Sequence, residues 1–223
     1  MNKFETPAAI SAVVDIPAGR IQVIAADRAD TTVEILPTKA SKGRDVKAAE
    51  QTKVEFVDGV LRITGPAEKN QLLGPSGSIE VTVQLPAGSS VESKAAGAEF
   101  RSVGRLGDVA CEGASGAVKI DEAASVRVAG YASDVTVGRL TGPAEISTQK
   151  GDINIAEATS GTVVLRAQMG NVTVGAANGV SASLDARTGY GRINNALKNT
   201  EGAAAGLTIQ ATTEQGDITA RSL

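Results

Sequence analysis

Apolar and polar residues alternate along most of this chain with a period of two, the pattern of strands that bury one face. In the second half the alternation comes in short units. Each opens with Gly or Ser, usually followed by Asp or Asn, and then runs apolar, polar, apolar. The units are Gly107-Asp108-Val109-Ala110-Cys111, Ser133-Asp134-Val135-Thr136-Val137, Gly151-Asp152-Ile153-Asn154-Ile155, Gly170-Asn171-Val172-Thr173-Val174 and Gly216-Asp217-Ile218-Thr219-Ala220, with Gly191-Arg192-Ile193-Asn194-Asn195 a weaker copy. Their second residues are 26, 18, 19, 21 and 25 positions apart. Units of the same grammar begin between them at Gly116, Gly142, Gly161, Gly179 and Gly206, so a strand and a corner recur every ten residues or so, roughly half the repeat. Glycine suits the corner, and the Asp or Asn after it can bond its own backbone in an Asx turn. An immunoglobulin-like sandwich has similar strand spacing but no reason to reuse one unit at successive corners. The repeat therefore predicts an all-β fold, a parallel β-solenoid (β-helix) over 90–223, whose layers bury a Val/Ile face only by stacking about 4.8 Å apart. Val135, Val137, Ile153, Ile155 and Val172 are expected to point inward, and Thr136 and Asn154 outward.

Before residue 90 the strands are longer and the repeat weaker, which predicts a lead-in or cap over 1–89, irregular and partly antiparallel. Strands are expected over 9–15, 20–25, 31–36, 53–57, 60–64 and 78–85. Asp58-Gly59 between two alternating runs is a type I′ hairpin signal. The corner Pro-Ala-Gly occurs twice, after Ile16 and after Leu85. Two segments interrupt the alternation. The first, 39–51, carries Lys39, Lys42, Arg44 and Lys47 against Asp45 and Glu50; Asp45 to Glu50 could form one or two helical turns, but a solvated loop is expected, because isolated short helices are marginal. The second, 67–77, contains Leu72 and Leu73 and reads as a connector. At the other end Gly216 to Leu223 runs to the last residue, which predicts an uncovered terminal strand edge with Arg221 to blunt it.

Composition narrows the core and the partners. Hydrophobic residues make up 42% of the 223 positions but aromatics only 2%, so the core must be thin and built from Val, Ile, Leu and Ala. A net charge of -3 with 21% charged residues gives an ordinary solvated surface and no footprint for nucleic acid. The lone Cys111 cannot form an intramolecular disulfide and is expected to be a small buried strand residue. The first residues lack a basic segment followed by an apolar run, and nothing approaches the ~20 apolar residues of a membrane span. The expectation is a cytoplasmic chain with no membrane insertion.

Candidate chemistry is sparse. The chain has no histidine, which removes the commonest general base and metal ligand and every Ser-His or Cys-His arrangement. One cysteine cannot make a zinc site. Asp108, Asp134, Asp152 and Asp217 could align as a carboxylate ladder, but the Gly-Gly-x-Gly-x-Asp repeat of calcium β-rolls is absent, and Asx turns account for the same residues. Thr188-Gly189-Tyr190-Gly191-Arg192 lacks a third dinucleotide-fingerprint glycine and reads as a corner. The Asn171-Val172-Thr173 sequon carries no weight without a secretory signal. No catalytic, cofactor-binding or metal-binding residue is assigned, and no cofactor is expected.

The Pro-Ala-Gly corner at Leu85 to Gly88, the Gly-Asp-Val/Ile units from Asp108 onward and the strand-rich lead-in together resemble the bacterial "putative adhesin" family, a β-strand-repeat domain of unknown function. The likeness spans about Ile10 to Leu223. It implies a bacterial source, a right-handed solenoid and a role in adhesion or scaffolding, with no catalytic residues to transfer. The leading expectation is a non-enzymatic adhesin-like binding or scaffold protein for a protein or glycan partner. The alternatives are a self-assembling, bactofilin-like cytoskeletal element joined through terminal solenoid edges and a polysaccharide-acting enzyme using Asp134 and Asp152.

Overall fold

The computed structural model describes residues 1–66 and 77–223. The 67–77 connector expected from the sequence lies outside them except for Gly77. Among the described residues the protein is all-β apart from one α-helix and a 3-10 turn, and its sheet mixes parallel and antiparallel pairs. No helix there is long and apolar enough to cross a membrane. The chain divides into two compact units, 1–116 and 117–223.

The first unit contains β1 (Asn2–Glu5), β2 (Ser11–Asp15), β3 (Ala18–Ala26), β4 (Asp30–Pro37), α1 (Gly43–Gln51), β5 (Lys53–Val57), β6 (Val60–Thr64), β7 (Ile79–Pro86), β8 (Ser90–Lys94), β9 (Gly97–Val103) and β10 (Arg105–Ala114). Antiparallel pairing is present, as the irregular sequence suggested: β4 pairs with β1 and β7, and β5 with β6. Asp58 (φ 51°) and Gly59 (φ 77°) close the β5–β6 hairpin with Val57 opposite Val60, the positive angles that a type I′ turn demands. Parallel pairs join β2 to β6 and β8, β3 to β7 and β9, and β8 to β10. Ile21, Leu61, Ile63, Ile79 and Leu85 are fully buried, and Cys111 is buried in β10 as expected.

The segment expected as a solvated loop contains a nine-residue helix, α1. Tertiary packing overrides its weak propensity. Ala48 is buried and the helix lies against β4 and β7. Buried Asp45 accepts the Ser78 N–H on Oδ1 at 3.1 Å, so a residue that looked like solvated charge satisfies the backbone just ahead of β7.

The second unit contains β11 (Val118–Ala132), β12 (Val135–Leu140), β13 (Ala144–Lys150), β14 (Ile153–Ala158), β15 (Gly161–Met169), β16 (Val172–Ala176), β17 (Ala182–Tyr190), β18 (Ile193–Ala196), β19 (Leu207–Gln215) and β20 (Ile218–Ser222). Every strand pair in it is parallel, in two ladders. One ladder runs β11–β12–β14–β16–β20–β18 and stacks Val118, Val135, Ile153, Val172 and Ile218. The other runs β11–β13–β15–β19–β17 and stacks Val128, Ile146, Leu165, Ala211 and Ala186. Ile153 (1% exposed) and Val172 (0%) face inward as the alternation required, giving the thin aliphatic core that the scarcity of aromatics implied.

The order of these layers corrects one expectation. The last two strands of the chain do not end the stack, because β19 lies between β15 and β17, and β20 between β16 and β18. Gly216 to Leu223 is thus covered on both sides, and Arg221 does not blunt a free edge. The β17–β18 layer takes the outer place. Its residues show why: at the position held by Ile153, Val172 and Ile218, Ile193 is 45% exposed, and Asn195 stands where Val174 and Ala220 are buried. A layer with so little apolar surface cannot cover two neighbours, whereas Leu207, Ile209 and Ile218 can.

Candidate functional site

The corner Asp and Asn residues form a ladder, though not within their own turns. The N–H of Asp152 donates to Asp134 Oδ1 (3.0 Å), that of Asn171 to Asp152 Oδ1 (2.7 Å), that of Asp217 to Asn171 Oδ1 (2.9 Å) and that of Arg192 to Asp217 Oδ1 (2.8 Å). Each side chain therefore satisfies a backbone donor of the next layer, where the local Asx turn had been expected. The series ends at Arg192, which needs no acceptor because no layer follows it in the ladder. The Arg192 backbone N–H, together with its guanidinium 3.3 Å away, holds the Asp217 carboxyl below its ordinary value. Asp108 sits in the first unit, its N–H donating to Ser90 Oγ at 3.2 Å. Among the described residues no cluster of three or more acidic, Cys or His groups is placed to hold a metal ion.

The surface with the means to bind something lies on the other ladder. A groove of about 790 Å³ crosses β11, β13, β15, β19 and β17 in the second unit. The register that buries one set of side chains aligns the alternate set outward, so Ala129, Ser147, Arg166, Thr212 and Arg187 form one row across the strands. The groove also takes in Tyr131, Gln149, Gln168 and Glu214. Tyr131 is 64% exposed and stands at the β11 end. Below these rows Thr148 and Thr213 are buried, and their hydroxyls, with that of Thr188, donate to Lys150 O, Gly170 O and Gly216 O at 2.9–3.0 Å. Those bonds fix the strand ends and leave the groups for a ligand to the outer rows. Arg166 is 3.3 Å from Glu145, a solvated pair that leaves guanidinium N–H groups for other acceptors.

Chemically the groove offers amides, hydroxyls, two guanidinium groups and a single carboxylate, Glu214. It has no paired carboxylates: Asp134 and Asp152 lie in the corner ladder, outside the lining. Burial pushes the Cys111 thiol up to about 12, so it is protonated and unreactive at neutral pH. The Thr188–Arg192 stretch, expected as a corner, is so only at Gly191 and Arg192: Thr188, Gly189 and Tyr190 (80% exposed) belong to β17, and Thr188 and Gly189 line the groove. A second concavity of about 840 Å³ in the first unit is lined by residues that include Asp15, Lys53, Pro66, Lys94 and Glu112. Sequence reading missed the groove. Its members come from five separated triplets and, apart from Thr188 and Gly189, belong to no stretch that stands out in the sequence, since an outward position is free to vary once its inward neighbours are apolar.

A family model described as Toastrack DUF4097 matches residues 13–222. No curated protein sequence matches the chain. Solved structures similar to it include a putative adhesin from Bacteroides fragilis NCTC 9343, 12% identical, with 100% of this chain and 95% of that one covered and a TM-score of 0.48. A putative lipid binding protein from Parabacteroides distasonis ATCC 8503 is 11% identical, with 98% and 95% covered and a TM-score of 0.44. A putative cell adhesion protein from Clostridium sporogenes ATCC 15579 is 14% identical, with 100% and 98% covered and a TM-score of 0.38.

Proposed function

The chain belongs to the Toastrack DUF4097 family, and on that premise we propose that it is a non-enzymatic binding or scaffold protein whose working surface is the groove across β11, β13, β15, β19 and β17. The carrying observation is the in-register row of Ser147, Arg166, Thr212 and Arg187 on a sheet whose opposite face is close-packed aliphatic side chains. Parallel pairing at offsets of 18 and 19 residues, as in Val135↔Ile153 and Ile153↔Val172, supports reading the second unit as a parallel β-solenoid, and the general hand of parallel crossovers supports reading it as right-handed. Such a sheet holds its outward groups without reorganisation, which lowers the entropic cost of binding.

The lining favours a glycan over a protein partner. An extended polymer lying across the strands meets a new side chain about every 4.8 Å, and the amides, hydroxyls and guanidinium groups match sugar hydroxyls and carboxylates. A protein segment would seek a desolvated aromatic or aliphatic anchor pocket, and Tyr131 alone does not make one. The absence of histidine, the protonated Cys111 and the lone Glu214 support a role without catalysis.

The test is binding of the full chain to an array of neutral and acidic polysaccharides, repeated with Arg166→Ala and Gln168→Ala. The expected result is a retained glycan whose affinity falls at least about tenfold in each variant, a loss of about 1.4 kcal/mol. No retained glycan, or one indifferent to both substitutions, would overturn the assignment.

A further inference from the structure

The outer layer of the second unit carries an open strand edge. Strand β17 pairs with β19 on one side; on its other side the Ala182 N–H donates to Lys198 O at 3.1 Å, and among the described residues no strand pairs with the rest of that edge. Leu207 N–H donates to Ser181 O at 3.3 Å, so by alternation the amides of Asp185 and Arg187 face β19, and those of Leu184, Ala186 and Thr188 face outward. The inner row is incompletely covered here: Leu184 and Ala186 are half-buried, whereas Ile209 and Ala211 beside them are 0% exposed. Free edges are usually protected by Lys, Pro or a bulge. The middle of β17 has none of these, only Asp185 and Arg187, opposite in sign and 67% and 80% exposed.

From this we infer that the protein self-associates as a two-fold dimer in which β17 pairs antiparallel with β17 of a second copy about Ala186. The register fits on three counts. The outward amides of Ala186 meet their own symmetry mates, and those of Leu184 meet Thr188 of the second copy, as hydrogen-bonded pairs. Asp185 then falls opposite Arg187 of the second copy, twice, in the non-hydrogen-bonded positions where side chains stand closest. Shifting the partner by two residues sets Asp185 against Asp185 or Arg187 against Arg187, which disfavours those registers, and a shift by one reverses the faces. The charge pattern is thus complementary to itself, which singles out a second copy over an unrelated strand. A two-fold contact consumes the edge, so the assembly closes at two chains instead of growing into a filament.

Sedimentation velocity of the full chain over a range of concentrations tests this, using charge reversals at exposed sites, with folding checked by circular dichroism. The wild type is expected to dimerise. Asp185→Arg and Arg187→Asp should each raise the dimer dissociation constant at least about tenfold, and the double exchange should restore it, because both pairs become attractive again. A wild type that stays monomeric throughout, or a dimer unmoved by either single reversal, would overturn the inference, as would a double exchange no better than the single ones.

Discussion

Replacing Ile153 by aspartate is expected to unfold the second unit, while Thr136→Asp leaves it folded. Ile153 is 1% exposed, with Val135 on one side and Val172 on the other. A carboxylate there would lose its hydration and face aliphatic side chains with no donor, at a cost of several kcal/mol even after partial relaxation, about 3–5 by analogy with broken buried pairs. That is a large part of the roughly 5–15 kcal/mol that holds a domain together. Thr136 lies one residue from Val135 on the opposite face and is half-exposed, so a charge there keeps its water. Thermal unfolding followed by circular dichroism reads the difference, and equal losses from the two substitutions would mean that the faces are reversed.

Gly216→Ala should be nearly as damaging, although it adds a single methyl group. Gly216 has φ +150°, and a Cβ built on it stands 2.1 Å from Gly170 O of the adjacent layer. That neighbour is backbone held in a ladder, so it cannot swing aside as a side-chain tip would. Strain in this region and overpacking each cost about 1–3 kcal/mol, and the layers must part locally to relieve them. Gly206→Ala is the control: nothing lies within 4 Å of its would-be Cβ, and its unfolding midpoint should be unchanged or slightly raised. Similar midpoints for the two variants would show that the layers are not stacked as described.

Much of the fold was legible because period-two alternation and corner grammar are local. The β5–β6 hairpin followed from Asp58-Gly59, and the inward set from Val135 to Val172 followed from the units themselves. What escaped the sequence depends on contacts far apart along the chain. Helix α1 exists because Ala48 finds a place against β4 and β7 and Asp45 finds the Ser78 N–H, neither visible in a segment whose apolar residues are only alanines and Val46. The layer order escaped for a related reason: a repeat states that its copies stack, not in which sequence. Two signs were nevertheless present. Arg192 breaks the Asp/Asn series, as befits the end of the ladder, and Asn195 replaces an apolar residue where a central layer would need one. The groove left no comparable sign, since its residues share only a register.

The layer order is also what builds the groove, because Thr212 and Glu214 enter it only if β19 lies between β15 and β17. Amide hydrogen exchange resolved along the chain tests this most directly. With the final layer inserted, the amides of β19 and β20 should exchange as slowly as those of β15 and β16, opening only with the whole unit, while those of β17 and β18 exchange earlier at the outer edge. Early exchange in β19 and β20, with β17 and β18 protected, would contradict the insertion and remove the groove with it.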